Sequence, residues 1–471
     1  MRFKPTMRFN PQLLLILLML GSWLPACITA EAYFGKTTPP TSSVLRYWNA
    51  AEPRAIDPHK TAGVPEANIM MNIYERLTNY DAQTLEPVPG IAERWEALDQ
   101  AQNWRFYLRR NAYWSDGHPV TAQDFVWAWK RAVTPATATP YVNLLYYVKN
   151  AEAISNGKLP PEQLGVKALD DYTLEVAMER PTAFFVKMTP HYVFSPLPRW
   201  AIEQWGDKWT MPGHIVTNGA FRLVEHKPYN QLTIVKDPNY WDARQVKLEK
   251  VIFIPIDDNA TGVNLYKAGD VDTMQSGSIP VPFLKALRDK KDYVRGAYFT
   301  TYYYSLNVKK KPFDDRRVRQ ALNLAIDKHS IADKLIGKGD IPATTFVPPG
   351  IAGYPVPKGA EYNPVEAKKL LAAAGYPNGQ GFPKITIYFN TLDTHRQIGE
   401  AVQRMWKEAL GITVELQNEE WQTFTARRER REFDVARDAW TGDYIDANTF
   451  LDLHATESLN NHSGWTNERY T

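Results

Sequence analysis

Ile385-Thr-Ile-Tyr-Phe389, Ile412-Thr-Val-Glu-Leu416 and Phe433-Asp-Val-Ala-Arg437 are three short runs set apart by helical sequence. In each, apolar residues fall at every second position, the period of a strand with one buried face. Between the first two, Ile398, Ala401, Val402, Met405, Trp406, Ala409 and Leu410 make one apolar stripe at helical spacing, and Gly411 ends it. Between the second and third, Trp421 to about Arg430 reads as a further helix. Strand, helix, strand, helix, strand predicts a parallel sheet with right-handed crossovers. Ligands of such sheets bind beyond the carboxyl ends of the strands. His395 lies just past the first strand and Arg437 falls at the end of the third. Beyond it, Trp440-Thr-Gly-Asp443 reads as a turn that sets an aromatic plate beside a carboxylate. An arginine and an aspartate flanking a tryptophan suit a ligand that carries a charge of each sign.

Working outward, the chain has 471 residues, enough for more than one domain. Its formal net charge of +3 gives no electrostatic case for a nucleic-acid partner. The one cysteine, Cys27, lies in an N-terminal leader, which leaves no disulfide or thiol chemistry for the rest of the chain. In that leader, residues 1–30, Arg2, Lys4 and Arg8 precede the apolar run Leu13–Leu24, and Ile28-Thr-Ala30 offers small-residue cleavage. Leu24-Pro-Ala-Cys27 offers the alternative of lipidation at Cys27. Simple cleavage and a periplasmic product are the expectation. Asp443 and its neighbours lack the spacing of a calcium loop. No Gly-x-Ser-x-Gly, His-Glu-x-x-His or catalytic cysteine is present, so neither an enzyme, a metal site nor a cofactor is expected.

Upstream, Ile56-Asp-Pro-His-Lys-Thr-Ala-Gly-Val-Pro-Glu66 reads as an extended piece between Pro58 and Pro65. Thr121 and Asp124 form a capping box ahead of an aromatic helix from Phe125 to Val133. Leu174, Val176 and Met178 mark another strand, and Gly269 ends a helix. Asp315–Lys328 reads as an amphipathic helix, and Asn363–Gly375 as a helix with clean start and stop signals.

The run Phe433-Asp-Val-Ala-Arg-Asp-Ala-Trp-Thr-Gly-Asp-Tyr444 resembles the ligand-binding core of the oligopeptide-binding proteins, the extracytoplasmic receptors of peptide ABC importers. Asp57-Pro through Gly63-Val-Pro-Glu66 and Trp114-Ser-Asp-Gly-His-Pro-Val-Thr-Ala-Gln-Asp124 resemble further family runs. The resemblance implies an α/β, two-lobed periplasmic binding protein with an additional inserted domain and mixed sheets. It places lobe I in residues 31–75 and 199–299, the inserted domain in 76–198 and a third lobe in 300–471. It implies that Asp443 holds a peptide ammonium and that Arg437, with His395 and, ranked lower, Arg428, faces the carboxylate. Ala62, Gly63 and Val64 on one side and Ala439, Trp440 and Thr441 on the other are expected to pair with the peptide backbone, with Tyr141 facing the cleft. The partners implied are short peptides and an inner-membrane ABC permease, and a monomer is expected.

Three departures stand out. Ile336 occupies the place of a family lysine, which alters the expected set of ligand lengths. Asp438 replaces a small neutral residue and is expected to neutralise part of the Arg437 charge. The sequence stops at Thr471, where related chains continue and cross back to the first lobe, so a fragment or a truncated product is expected. The alternative function is a receptor for murein peptides. A secreted hydrolase or a holdase chaperone ranks below both.

Overall fold

The computed structural model describes residues 32–36, 43–49, 51–256, 258–274, 279–296, 298–455, 458 and 460–470. The leader, including Cys27, lies outside the described residues. Three four-stranded sheets and one two-stranded ribbon make up the β-structure of the described residues.

The first sheet joins distant parts of the chain. Val44–Trp48 runs parallel to Lys250–Ile254, and Gln231–Lys236 and Phe221–Lys227 complete it in antiparallel fashion. Between these parts the chain builds a second, wholly antiparallel sheet from Ala92–Leu98, Asn103–Leu108, Thr173–Ala177 and Val166–Asp170. Helix Ala122–Val133 covers it. As expected, Asp124 accepts the Thr121 backbone N–H at 2.8 Å and closes the capping box. One continuous core runs from helix Val64–Ile73 through Phe106, Phe125, Trp129 and Phe194 to Leu232 and Phe253. The first and second sheets therefore share buried apolar surface.

The third sheet has the order Thr300–Leu306, Val435–Thr441, Ile385–Asn390, Val414–Glu419. The last three strands are mutually parallel, as the alternating runs predicted. Thr300–Leu306 joins as an antiparallel edge, which makes the sheet mixed. From the central strand Ile385–Asn390, helix Asp393–Leu410 leads out to Val414–Glu419, and helix Trp421–Glu429 leads back across it to Val435–Thr441. Right-handed crossovers in opposite directions put the two helices on opposite faces. Ile398, Val402 and Trp406 pack with Ile385, Ile387, Phe389 and Val435 on one face. Phe424 packs with Phe433, Ala436 and Tyr388 on the other. Strand order reverses between Ile385–Asn390 and Val435–Thr441, and a crevice opens at such a switch point.

Two boundaries differ from the sequence reading. The strand begins at Val435 rather than Phe433, because Phe433 turns inward to pack against Phe424. It extends to Thr441, so Arg437 sits inside it and Trp440 and Thr441 belong to the strand rather than to a turn.

Candidate ligand-binding cleft

The backbone of Val435–Thr441 defines the site. Gly442 donates its N–H to the Phe299 carbonyl at 2.8 Å, and Asn307 donates to Asp434 at 3.1 Å. Antiparallel pairs alternate between bonded and non-bonded. Ala436, Asp438 and Trp440 therefore spend their backbone groups on Thr300–Leu306, while Ala439 and Thr441 turn theirs the other way. On that other side, Ile385–Asn390 pairs only with Val435 and Ala436 before the two strands diverge. Ala439 and Thr441 thus line an open strand edge inside the crevice. The Ala439 N–H is engaged locally by Asp438 Oδ1 at 3.0 Å.

Side chains along this strand alternate between faces. On the face of helix Asp393–Leu410, the Arg437 guanidinium lies 5.0 Å from the Tyr302 ring centroid and reaches Asn390 Oδ1 at 3.4 Å. Its Nε is buried without a hydrogen-bond partner. No acidic side chain of the described residues forms an ion pair with Arg437. His395 is buried on the same face, with Nδ1 3.3 Å from the Tyr302 hydroxyl. Burial first, and the Arg437 charge second, push its pKa down to about 3. His395 is therefore a neutral hydrogen-bonding group near neutral pH.

The opposite face corrects two expectations. Asp438 does not neutralise Arg437, because adjacent strand residues point to opposite faces. Instead Asp438 is almost wholly buried and takes Arg428 Nη1 at 2.6 Å, His462 Nδ1 at 2.9 Å and Ser305 Oγ at 3.0 Å. Arg428 is therefore ion-paired internally through Nη1, although its Nε, like that of Arg437, is buried without a hydrogen-bond partner. The neighbouring arginines form no free basic patch. Arg427 pairs with Glu419 at 2.8 Å, and Arg430 with Glu432 at 3.0 Å.

Past the strand, Asp443 lies against Tyr80 of the two-stranded ribbon Thr78–Tyr80/Pro87–Pro89. Its carbonyl accepts the Tyr80 hydroxyl at 2.6 Å, and its N–H donates to Thr449 Oγ1 at 3.0 Å. Tyr444 stacks on Phe184, with ring planes 3° apart. Lys187 Nζ donates to the Ile445 carbonyl at 3.3 Å. These contacts hold the loop against residues distant in sequence. The Asp443 carboxylate lines a small cavity with Asn143, Trp440, Thr449 and Asp452. Among the described residues no cation pairs with it. Burial, with the Asp452 charge adding to it, pushes its pKa up to about 7. Burial, with the Asp443 charge second, holds the Tyr80 and Tyr141 phenols above their ordinary range. Tyr192, whose edge meets Tyr141, reaches the Thr61 carbonyl at 3.5 Å. The sequence reading found Tyr141 but missed Tyr80, Tyr192, Thr449 and Asp452, which carry no local pattern that marks them.

Ala62, Gly63 and Val64 lie beside Tyr192. The segment is shorter than predicted as an extended piece, because Val64 and Pro65 are already the first residues of helix Val64–Ile73. Proline is well suited to that first turn. Gly63, at φ +145°, makes the entry in a conformation open to glycine. The preceding turn is anchored by Asp57, which binds Arg131 at 2.6 Å and Trp209 Nε1 at 3.2 Å. No cluster of side chains suited to a metal ion occurs among the described residues. No described helix is long and apolar enough to cross a membrane.

The chain is similar to periplasmic oligopeptide-binding protein OppA of Salmonella typhimurium, with 41% identity over 88% of this chain and 77% of the relative. It is 40% identical to the periplasmic murein peptide-binding protein MppA of Escherichia coli, over 89% and 79% of the two chains. Among solved structures, Haemophilus influenzae OppA in complex with the peptide RPPGFSPFR superposes with a TM-score of 0.82 at 37% identity, covering 92% of this chain and 86% of that one. The E. coli murein tripeptide binding protein MppA gives 0.83 at 38% identity, over 91% and 84%. The unliganded open form of MppA gives 0.69 at the same identity, over 92% and 84%. Residues 86–461 match the family model described as bacterial extracellular solute-binding proteins, family 5 Middle. The open strand edge, the crevice at the switch point and this match agree: the chain belongs to the bacterial extracellular solute-binding proteins, family 5.

Proposed function

We propose that this protein is an extracytoplasmic receptor that encloses short peptides between its lobes and delivers them to an inner-membrane ABC permease. The observation that carries this reading is the Asp443 carboxylate, which lines a cavity with no cation among the described residues paired to it. Asp443 is half-buried, and a carboxylate withdrawn from water is costly unless a cation completes it. A peptide ammonium supplies that cation. The edge at Ala439 and Thr441 then takes the peptide backbone by strand addition, with Trp440 between them and Ala62, Gly63 and Val64 on the facing side. Arg437 takes the carboxylate, assisted by a neutral N–H of His395, and Tyr141 closes the cleft wall beside Asp443. Such a receptor reads what all peptides share and leaves side chains loosely specified.

The better superposition on MppA than on its unliganded open form supports reading this conformation as the closed one. The receptor reading includes cleavage of residues 1–30, action as a monomer in the periplasm, and the lobe boundaries 31–75 with 199–299, 76–198 and 300–471. The similarity to MppA supports murein peptides as a second reading. Native mass spectrometry of the purified protein tests the proposal. Co-purified peptides of a few residues are expected, and competition between trialanine and a murein tripeptide separates the two readings. Protein that carries no peptide and takes up neither ligand would overturn both.

A further inference from the structure

Two carboxylates, Asp443 and Asp452, line one small cavity. Asp452 reaches it from the segment that also supplies Thr449. Helix Asn448–Leu451 runs on into a tight helical turn, Asp452–His454. Thr449 and Asp452 stand three residues apart, so they share one face of that segment. Thr449 Oγ1 holds the Asp443 N–H at 3.0 Å and fixes the two walls against each other. Asp452 is half-buried and, among the described residues, forms no ion pair. Burial raises its carboxyl above the ordinary range, opposed by the Arg180 charge and a hydrogen bond from Tyr147. The Asp452 charge in turn acts on Asp443. Asn143 lines the same cavity, and its Oδ1 is buried without a hydrogen-bond partner.

We infer that Asp452 is a further ligand-binding residue, which clamps the peptide's primary ammonium together with Asp443. The inference rests on the peptide-receptor reading above and deepens it. The cavity has room for about one water-sized group. An ammonium head is of that size and carries three N–H donors and no acceptor. The walls offer it three acceptors: two carboxylates and Asn143 Oδ1. A cation held by Asp443 alone would leave a second carboxylate facing the same space uncompensated. A cation between the two relieves their mutual repulsion as well as its own desolvation. Tyr147 keeps Asp452 in place for that contact.

The test is calorimetric binding of trialanine and N-acetyl-trialanine to wild-type protein and to Asp452→Asn, with the denaturation midpoint of each ligand-free protein. Asparagine keeps the shape and still accepts from Tyr147. The variant is expected to bind trialanine about tenfold or more weakly, the low end for a hydrogen bond to a charged group. N-acetyl-trialanine should change by no more than about threefold, since it brings no cation. The ligand-free midpoint should hold or rise, because one of two repelling carboxylates is gone. Trialanine bound within about threefold of wild type overturns the inference. A comparable loss for N-acetyl-trialanine, or a lowered midpoint, gives Asp452 a structural role and also overturns it. Wild-type protein that binds no trialanine removes the receptor reading itself, which separates the two failures.

Discussion

At the scale of single residues, the account turns on which charges are already spent inside the protein. Arg428 and Asp438 form an ion pair with each other, whereas Asp443 and Arg437 have no internal ion-pair partner among the described residues. Asp443→Ala is expected to weaken peptide binding by about 2–5 kcal/mol, the scale for one partner of a desolvated charge pair. Calorimetry checks this, and an affinity within threefold of wild type would contradict it. Arg437→Met is expected to cost about 1.5–3 kcal/mol, the range for hydrogen bonds to charged groups. His395→Gln should cost less, since the buried ring is neutral and gives up only an N–H. The sequence exposed Asp443, Arg437 and His395 because they sit in a recognisable run or just past a periodic strand. It could not show that Asp438 faces away from Arg437, because that depends on where the strand starts and stops. His462 and Ser305, the other partners of Asp438, lie far from it in sequence and follow no motif.

At the scale of elements, the loop after Thr441 must deliver Asp443 in a fixed pose. Gly442 makes this close approach possible. A Cβ there would overlap the Phe299 ring and come within 3.0 Å of Thr449 Cγ2. Phe299 is itself wedged edge-on against Phe450, with centroids 4.9 Å apart, so the ring has little room to yield. Gly442→Ala is therefore expected to destabilise the protein by about 1–3 kcal/mol through overpacking. It should also lower peptide affinity, since Thr449 holds the Asp443 N–H. Chemical denaturation and calorimetry on the same variant check both, and an unchanged midpoint with unchanged affinity would contradict the argument. The parallel strands of the third sheet and helix Asp393–Leu410 were legible in the sequence because their apolar residues recur at strand or helix spacing and Gly411 ends the helix. The segment at Ala62–Val64 was misread, since two prolines suggest an extended chain when the second in fact opens a helix. The strand order was not legible, and it is the order that makes the crevice.

At the scale of the whole molecule, closure and protonation are linked. In this conformation Asp443 holds its proton up to about pH 7, well above the ordinary carboxylate value of about 3.9. A group with a raised pKa favours the state that raised it only while it remains protonated. Closure without a peptide is therefore easiest at acidic pH and becomes harder as pH rises from about 4 through 7, after which the cost is constant. A peptide ammonium removes that cost. Fluorescence transfer between dyes on the two lobes should report a closed fraction of ligand-free protein that falls as pH rises from about 4 through 7 and then levels off. The fall should vanish in Asp443→Asn, and a closed fraction independent of pH in the wild type would contradict the linkage. The measurement that bears most directly on the ammonium site is the affinity of trialanine beside that of N-acetyl-trialanine for the wild-type protein at pH 7.5. Acetylation removes the positive charge and leaves the backbone and carboxylate in place. The account predicts a loss of at least about thirtyfold, the lower end of the range for a lost buried charge partner. Equal affinities for the two peptides would contradict it.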